Sequence, residues 1–239
     1  MSGFIEAWQQ KLYGSLRAFC GRDIADRIMK GYESITSETE TEETIRWTAR
    51  TIRKIEDECS PAMLHGIMTA CSCPYPRTNL QKLRKIYLET GDVEVVIRVL
   101  QQQLEDSLRK GMLLEDAIVD RIVVLGWGVA GKMDGDRIVI TKIPKSSNLR
   151  EYMNESDPQK KRELYCHCPR VRQAVQLGIE LPSAYCLCGA GYYLQIWETI
   201  LERKVRVEVL ESVCSGGELC SFAVHLPDGC VSPVRADLS

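Results

Sequence analysis

The spacing of apolar residues changes character partway along the chain, and that change limits the possible folds more than any other feature. Up to about residue 120 the apolar positions recur with a helical period. Phe4, Ile5, Trp8, Leu12 and Leu16 mark a first helix, and Ile24, Ile28 and Tyr32 a second. The polar, acidic stretch ITSETETEE links them to further helices and offers an N-terminus at Thr36 or Ser37. The segments TIRWTARTIRKIEDEC, PAMLHGIM, LQKLRKIYLETGD and VEVVIRVLQQQLEDSLRKG continue the helical pattern, with Gly91 and Gly111 where C-terminal caps belong. From residue 121 the pattern shifts. RIVVLGWGVAGKMDGDRIVITKIP predicts two β segments around the Asp134-Gly135 turn, and residues 144–160 read as a polar connector. A helix is expected over about 189–202 and strands over 204–213 and 219–226, joined at Gly216-Gly217. The last dozen residues read as a loose tail. The expected fold class is therefore α+β: a helical region over 1–120, then a small α+β domain over 121–239 with an antiparallel sheet.

Charge excludes some partners. Thirty-one Lys and Arg against 33 Asp and Glu leave a formal charge of -2, with no basic block to hold nucleic acid or an anionic membrane. No apolar run reaches membrane-spanning length, and MSGFIEAWQQ has neither the basic nor the apolar region of a secretion signal. The expected location is cytoplasmic.

In that setting eleven cysteines, an odd number, point to reduced, metal-bound or reactive thiols rather than a disulfide framework. Six fall in Cys-x-Cys pairs: Cys71 and Cys73, Cys166 and Cys168, Cys186 and Cys188. Cys214 and Cys220 flank a Ser-Gly-Gly turn, while Cys20, Cys59 and Cys230 stand alone and read as small buried hydrophobes.

Residues 126–132, GWGVAGK, match both G-x-x-x-x-G-K and G-x-G-x-x-G, yet neither phosphate-binding reading fits its context. Met133 stands where the first pattern needs Ser or Thr for magnesium, and both patterns need a following helix where MDGDRIVIT predicts a turn and a strand.

The C-terminal constellation is more informative. A hairpin would bring Cys214 and Cys220 face to face. A bend or bulge at the strand end would turn Glu211 inward with them, and Cys188 at the start of the preceding helix would complete four ligands. Three thiolates and a carboxylate suit zinc, and a closed four-ligand site is structural. These residues, with Gly189, Gly191, Tyr192 and Tyr193 in the helix-opening segment, resemble the 4-vinyl reductase (vinyl-four-reductase) domain family, which also serves as the sensor domain of aromatic-responsive sigma-54 activators. The likeness covers roughly residues 160–226. The CHCP, YC-x-CGAGYY and WE-x-IL signatures look more like an uncharacterised cysteine-rich prokaryotic group allied to that fold, and a second similar family is that of the 2-amino-thiazoline-4-carboxylate hydrolases. The resemblance implies zinc on Cys188, Glu211, Cys214 and Cys220, an apolar ligand cavity and a homodimer.

The remaining thiols leave alternatives open. Cys166, Cys168 and Cys186, with Cys71 and Cys73, could form a second metal site for zinc or an iron–sulfur cluster, a redox cluster, or core packing. Cys166, His167 and Cys168 are the catalytic candidates if a thiol is the nucleophile. Tyr192, Tyr193 and Trp197 are the candidate cavity wall, and Arg162, Arg170 and Arg172 could meet a carboxylate. The expected function is binding of a small apolar or aromatic molecule beside a structural zinc. The alternative is a cysteine-dependent small-molecule hydrolase or a thiol or iron–sulfur redox protein.

Overall fold

The computed structural model describes residues 3–230, so most of the expected tail lies outside the described residues. Seven helices come first: α1 (Phe4–Cys20), α2 (Arg22–Ile28), α3 (Thr41–Glu58), α4 (Pro61–Ala70), α5 (Arg77–Thr90), α6 (Val93–Asp106) and α7 (Asp116–Leu125). A hairpin of β1 (Lys132–Asp134) and β2 (Arg137–Thr141) follows, then α8 (Leu149–Asn154), α9 (Pro158–Tyr165), α10 (Pro169–Leu177), α11 (Leu187–Leu201), β3 (Arg206–Glu211) and β4 (Ser221–His225). The class is α+β, mostly helical, with one four-stranded antiparallel sheet in the C-terminal part.

Local chemistry sets several boundaries. Ser60 accepts a hydrogen bond from the Met63 amide and Pro61 occupies the first turn of α4; Asp92 caps α6 through the Glu94 amide. Gly91 ends α5 in the left-handed conformation. Gly111 does not play that part: α6 runs into a wider turn over Ser107–Gly111, and the left-handed residue beyond it is Leu113. Nor do Thr36 and Ser37 start a helix. Thr36 and Thr39 close a turn on themselves, and α3 begins four residues later.

Two stretches differ from expectation. RIVVL is the end of α7, not a strand; Val119 and Ile122 bury one helical face while Val124 is 77% exposed. Gly126 terminates α7 with positive φ, and Lys132 opens β1 rather than a helix. The polar connector holds α8 and α9, the second started by Asp157, which accepts from the Gln159 and Lys160 amides ahead of Pro158.

The sheet order is β1-β2-β4-β3. Register places Ile138 opposite Val224, Ile140 opposite Phe222, and Val207 and Val209 opposite the same two residues of β4, so one face is apolar. Against that face lies α11, whose other side packs on α4 and α5. A helix enclosed on both sides must be apolar nearly all round, and Ala190, Tyr193, Ile196, Trp197, Ile200 and Leu201 are all buried. Full burial of each large side chain among them contributes about 1.5–3 kcal/mol. Gly191 allows the closest approach: a Cβ there would sit 2.0 Å from the Thr69 carbonyl oxygen of α4. One continuous buried cluster runs from Ile5 to Cys230.

Candidate functional site

Six of the eleven cysteines gather at the end of the sheet beside the start of α11. Cys166 and Cys168 lie in the extended link from α9 to α10, where Pro169 opens the latter helix. Cys186 closes a 3-10 turn over Ser183–Cys186, and Cys188 falls in the first turn of α11. Cys214 sits in a second 3-10 turn, Val213–Ser215, and Cys220 immediately precedes β4.

Polar struts hold these links. Tyr165 takes a hydrogen bond from the Cys220 amide at 3.0 Å and gives one to the Lys142 carbonyl at 2.6 Å. Ser212 accepts from the Ser215 amide. The Cys214 thiol points toward the Leu181 and Pro182 carbonyls at 3.5 and 3.7 Å. A register shift between Val209 and Glu211 supplies the bulge at the end of β3. There the Glu211 carboxylate accepts from the Glu218 and Leu219 amides at 2.8 and 3.1 Å, so it braces the β3–β4 connection.

The thiols sort into two groups. Cys166 hydrogen-bonds Cys220, which holds the Cys220 pKa down to about 7 despite burial and raises that of Cys166. Cys214 likewise hydrogen-bonds Cys186, lowering Cys186 and raising its partner. The turns that carry Cys186 and Cys214 pack on each other, and the Cys220 amide is bound by Tyr165, the residue before Cys166. Cys188 faces elsewhere: burial raises its pKa, followed by the charges of Cys168 and Cys186, with Lys142 and exposed Cys73 also nearby. Each of these two Cys-x-Cys pairs thus gives its first thiol to a quartet (Cys166, Cys186, Cys214, Cys220) and its second to the flank.

Two cations border the thiols. The Lys142 ammonium lies 5.2 Å from the Phe222 ring centre and 5.8–5.9 Å from those of Tyr193 and Tyr192, and its charge favours the ionised forms of Cys186, Cys188 and Cys220. Arg170 is only 2% exposed. Its Nη1 donates to the Tyr185 hydroxyl at 3.0 Å, and that hydroxyl lies 3.4 Å from the Cys168 sulfur.

Among the described residues, no group of three or more His, Cys, Asp or Glu side chains stands ready to hold a metal ion as it is. No protein-family model, curated protein or solved structure matches this chain.

Other sequence-singled residues fall outside the cluster. Cys71 is buried in α4's wake, donates to the Ile67 carbonyl at 3.3 Å, and has its pKa pushed up to about 12 by burial. His167 places Nε2 2.8 Å from the Ile143 carbonyl oxygen. Tyr193 and Trp197 are packed in the core, while Tyr192 is half-buried against Tyr75. An open cleft of about 530 Å³ runs along α9, α10 and the 213–215 turn, borders the cluster at Cys214 and includes Arg162. Lys142 and Tyr165 had no sequence signal: nothing in a lysine after a strand or a tyrosine before Cys-x-Cys shows that tertiary packing will aim them at thiols.

Proposed function

We propose that this chain is a thiolate metal protein whose centre is zinc held by Cys166, Cys186, Cys214 and Cys220. The observation that carries this is the gathering of four thiols at one end of the sheet from three connections, α9–α10 (Cys166), α10–α11 (Cys186) and β3–β4 (Cys214 and Cys220), with the turns of Cys186 and Cys214 packed together and Cys220 tied to Tyr165, the residue before Cys166. Four thiols supply the donor set that four-sulfur zinc takes, and metal binding would draw the sulfurs to about 2.3 Å from the ion in a tetrahedron. Soft sulfur donors in a buried setting suit zinc over magnesium or calcium. Glu211, already engaged by two amides, fits better as the brace of the Cys214–Cys220 connection than as a ligand, and Cys188 belongs to the flank. This alters the ligand set that the likeness to the 4-vinyl reductase domain implies and keeps its metal. The free thiols fit a reducing, cytoplasmic compartment. The small-molecule site belongs at the cleft beside Cys214, where Arg162 Nε has no hydrogen-bond partner among the described residues.

Metal content of anaerobically purified protein, measured by mass spectrometry on three variants, tests the reading. Zinc survives dialysis in the wild type and in Glu211→Gln but is lost in Cys220→Ser. Zinc lost in Glu211→Gln restores the carboxylate as a ligand, and iron with a brown absorbance replaces zinc by an iron–sulfur cluster. No metal in the wild type overturns the proposal.

A further inference from the structure

Arg170 carries a charge that nothing beside it balances. It is 2% exposed, forms no ion pair among the described residues, and its Nη2 has no hydrogen-bond partner there. Its place in the first turn of α10 adds to the cost, because the positive end of the helix dipole lies at that turn. One neighbour is a neutral acceptor: Nη1 donates to the Tyr185 hydroxyl at 3.0 Å. Two others are aromatic, with the guanidinium carbon 4.5 Å from the Trp8 ring centre and 5.2 Å from that of Phe4. Aromatic faces temper a cation without neutralising it, and a guanidinium stays charged at any pH the fold survives.

A second orphan stands beside the first. Trp8 is 5% exposed, and its Nε1 is also buried with no acceptor among the described residues. That nitrogen belongs to the ring that packs on the guanidinium, so two unsatisfied donors, one of them cationic, occupy one small region. Buried donors without partners are uncommon, and each calls for a water or an ion. Water here would satisfy the hydrogen bonds and leave the buried charge unmatched.

We propose that Arg170 Nη2 and Trp8 Nε1 together bind a small monovalent anion. One negative charge balances one guanidinium, and the indole N–H offers the positive edge of its ring. Phe4, part-exposed at the start of α1, covers the guanidinium on its solvent side. Trp8 belongs to α1 and Arg170 to α10, so the anion fastens the helical half to the C-terminal half. The site shares no residue with the four thiols or with the cleft at Cys214, and it does not depend on the metal.

Urea unfolding of the reduced full chain in sodium chloride and in sodium gluconate at equal ionic strength tests this, since an anion held by the folded state alone raises the midpoint with its concentration. The expected result is a saturable rise with chloride and none with the bulkier gluconate. A matching rise with formate assigns carboxylates to the site as well as halides. Trp8→Phe, which keeps an aromatic ring and removes the N–H, raises the half-saturating chloride at least tenfold, and Arg170→Met abolishes the response. Cys220→Ser keeps it, which separates anion binding from any ligation of zinc. Equal midpoints in chloride and gluconate overturn the proposal, as does a chloride response that either Trp8→Phe or Arg170→Met retains unchanged. Diffraction from wild-type crystals grown in bromide needs no variant to fold: an anomalous peak within hydrogen-bond reach of both nitrogens supports the site, and a water in that place overturns it.

Discussion

Gly191 and Gly14 both lie inside helices, and replacing each by alanine should have opposite effects. At Gly14, on the open face of α1, an added methyl meets nothing within 4 Å. The substitution gains the helix propensity of alanine, about 1 kcal/mol, which for a chain of this size raises Tm by about 2–4 °C. At Gly191 the same methyl would stand 2.0 Å from the Thr69 carbonyl oxygen and 2.7 Å from its carbon. These are backbone atoms that no rotamer change can move. Relief requires α11 and α4 to part by about 1.4 Å, the gap between 2.0 Å and the 3.4 Å where ordinary contact begins. Overpacking of this severity belongs at the top of the usual range, about 3 kcal/mol, so after the propensity gain the net loss is about 2 kcal/mol. Tm then falls by about 4–8 °C. Thermal unfolding of both variants, followed by circular dichroism on metal-free protein, reads the two signs. Gly191→Ala melting at or above the wild type would refute the close approach of these helices and, with it, the placement of Cys188 one turn away.

Further outcomes follow from the same geometry. Tyr185→Phe removes the hydroxyl that holds Arg170, a hydrogen bond to a charged group worth about 1.5–3 kcal/mol, and should lower the urea midpoint accordingly; an unchanged midpoint would mean that Arg170 has other support. The Cys20 and Cys59 sulfurs lie 3.3 Å apart, so a thiol oxidant such as diamide should link α1 to α3, seen as a mobility shift that Cys20→Ser abolishes. Because burial holds the Cys59 pKa at about 12, that linkage should form slowly at neutral pH. In metal-free protein, Cys220 has a folded pKa near 7 against an ordinary 9.0, so its stabilisation is full above 9 and lost as pH falls through 7. Cys166 shifts upward, so its contribution holds below 9 and fades at higher pH. The urea midpoint should therefore rise between pH 7 and 9 and then decline, and a flat profile over that interval would contradict the thiol pairing.

Periodicity made the helical half legible because each helix there buries one face: Ile45, Ile52 and Ile55 in α3, for example, follow the helical repeat directly. It failed at RIVVL, where β-branched residues read as a strand although Val119 and Ile122 continue the helical spacing. The connector over 144–160 hid α8 and α9 because short polar helices carry little apolar pattern; the Asp157-Pro158 start was the available signal. The chain pattern singled out the six thiols that gather beside α11 but not how they pair. Spacing says that Cys186 and Cys188 are neighbours; only the passage from a 3-10 turn into α11 at Leu187 sends them to different partners. Glu211 shows the same limit, since its bulge was foreseeable and the two amides that occupy its carboxylate were not.

The helical half does more than support the sheet. Trp8 of α1 packs on Tyr185 with ring centres 5.6 Å apart and covers Arg170. The pairing of Cys166 with Cys220 and of Cys186 with Cys214, by contrast, uses residues of the C-terminal half alone. The Arg170–Tyr185 contact and the thiol pairs therefore depend on different parts of the chain. A change in how α1 seats on Tyr185 would leave those connections intact while uncovering Arg170. Coupling between the halves should then be felt first at Arg170, which makes its contact with the Tyr185 hydroxyl, rather than the thiol pairs, the place that reports on the packing of the helical half.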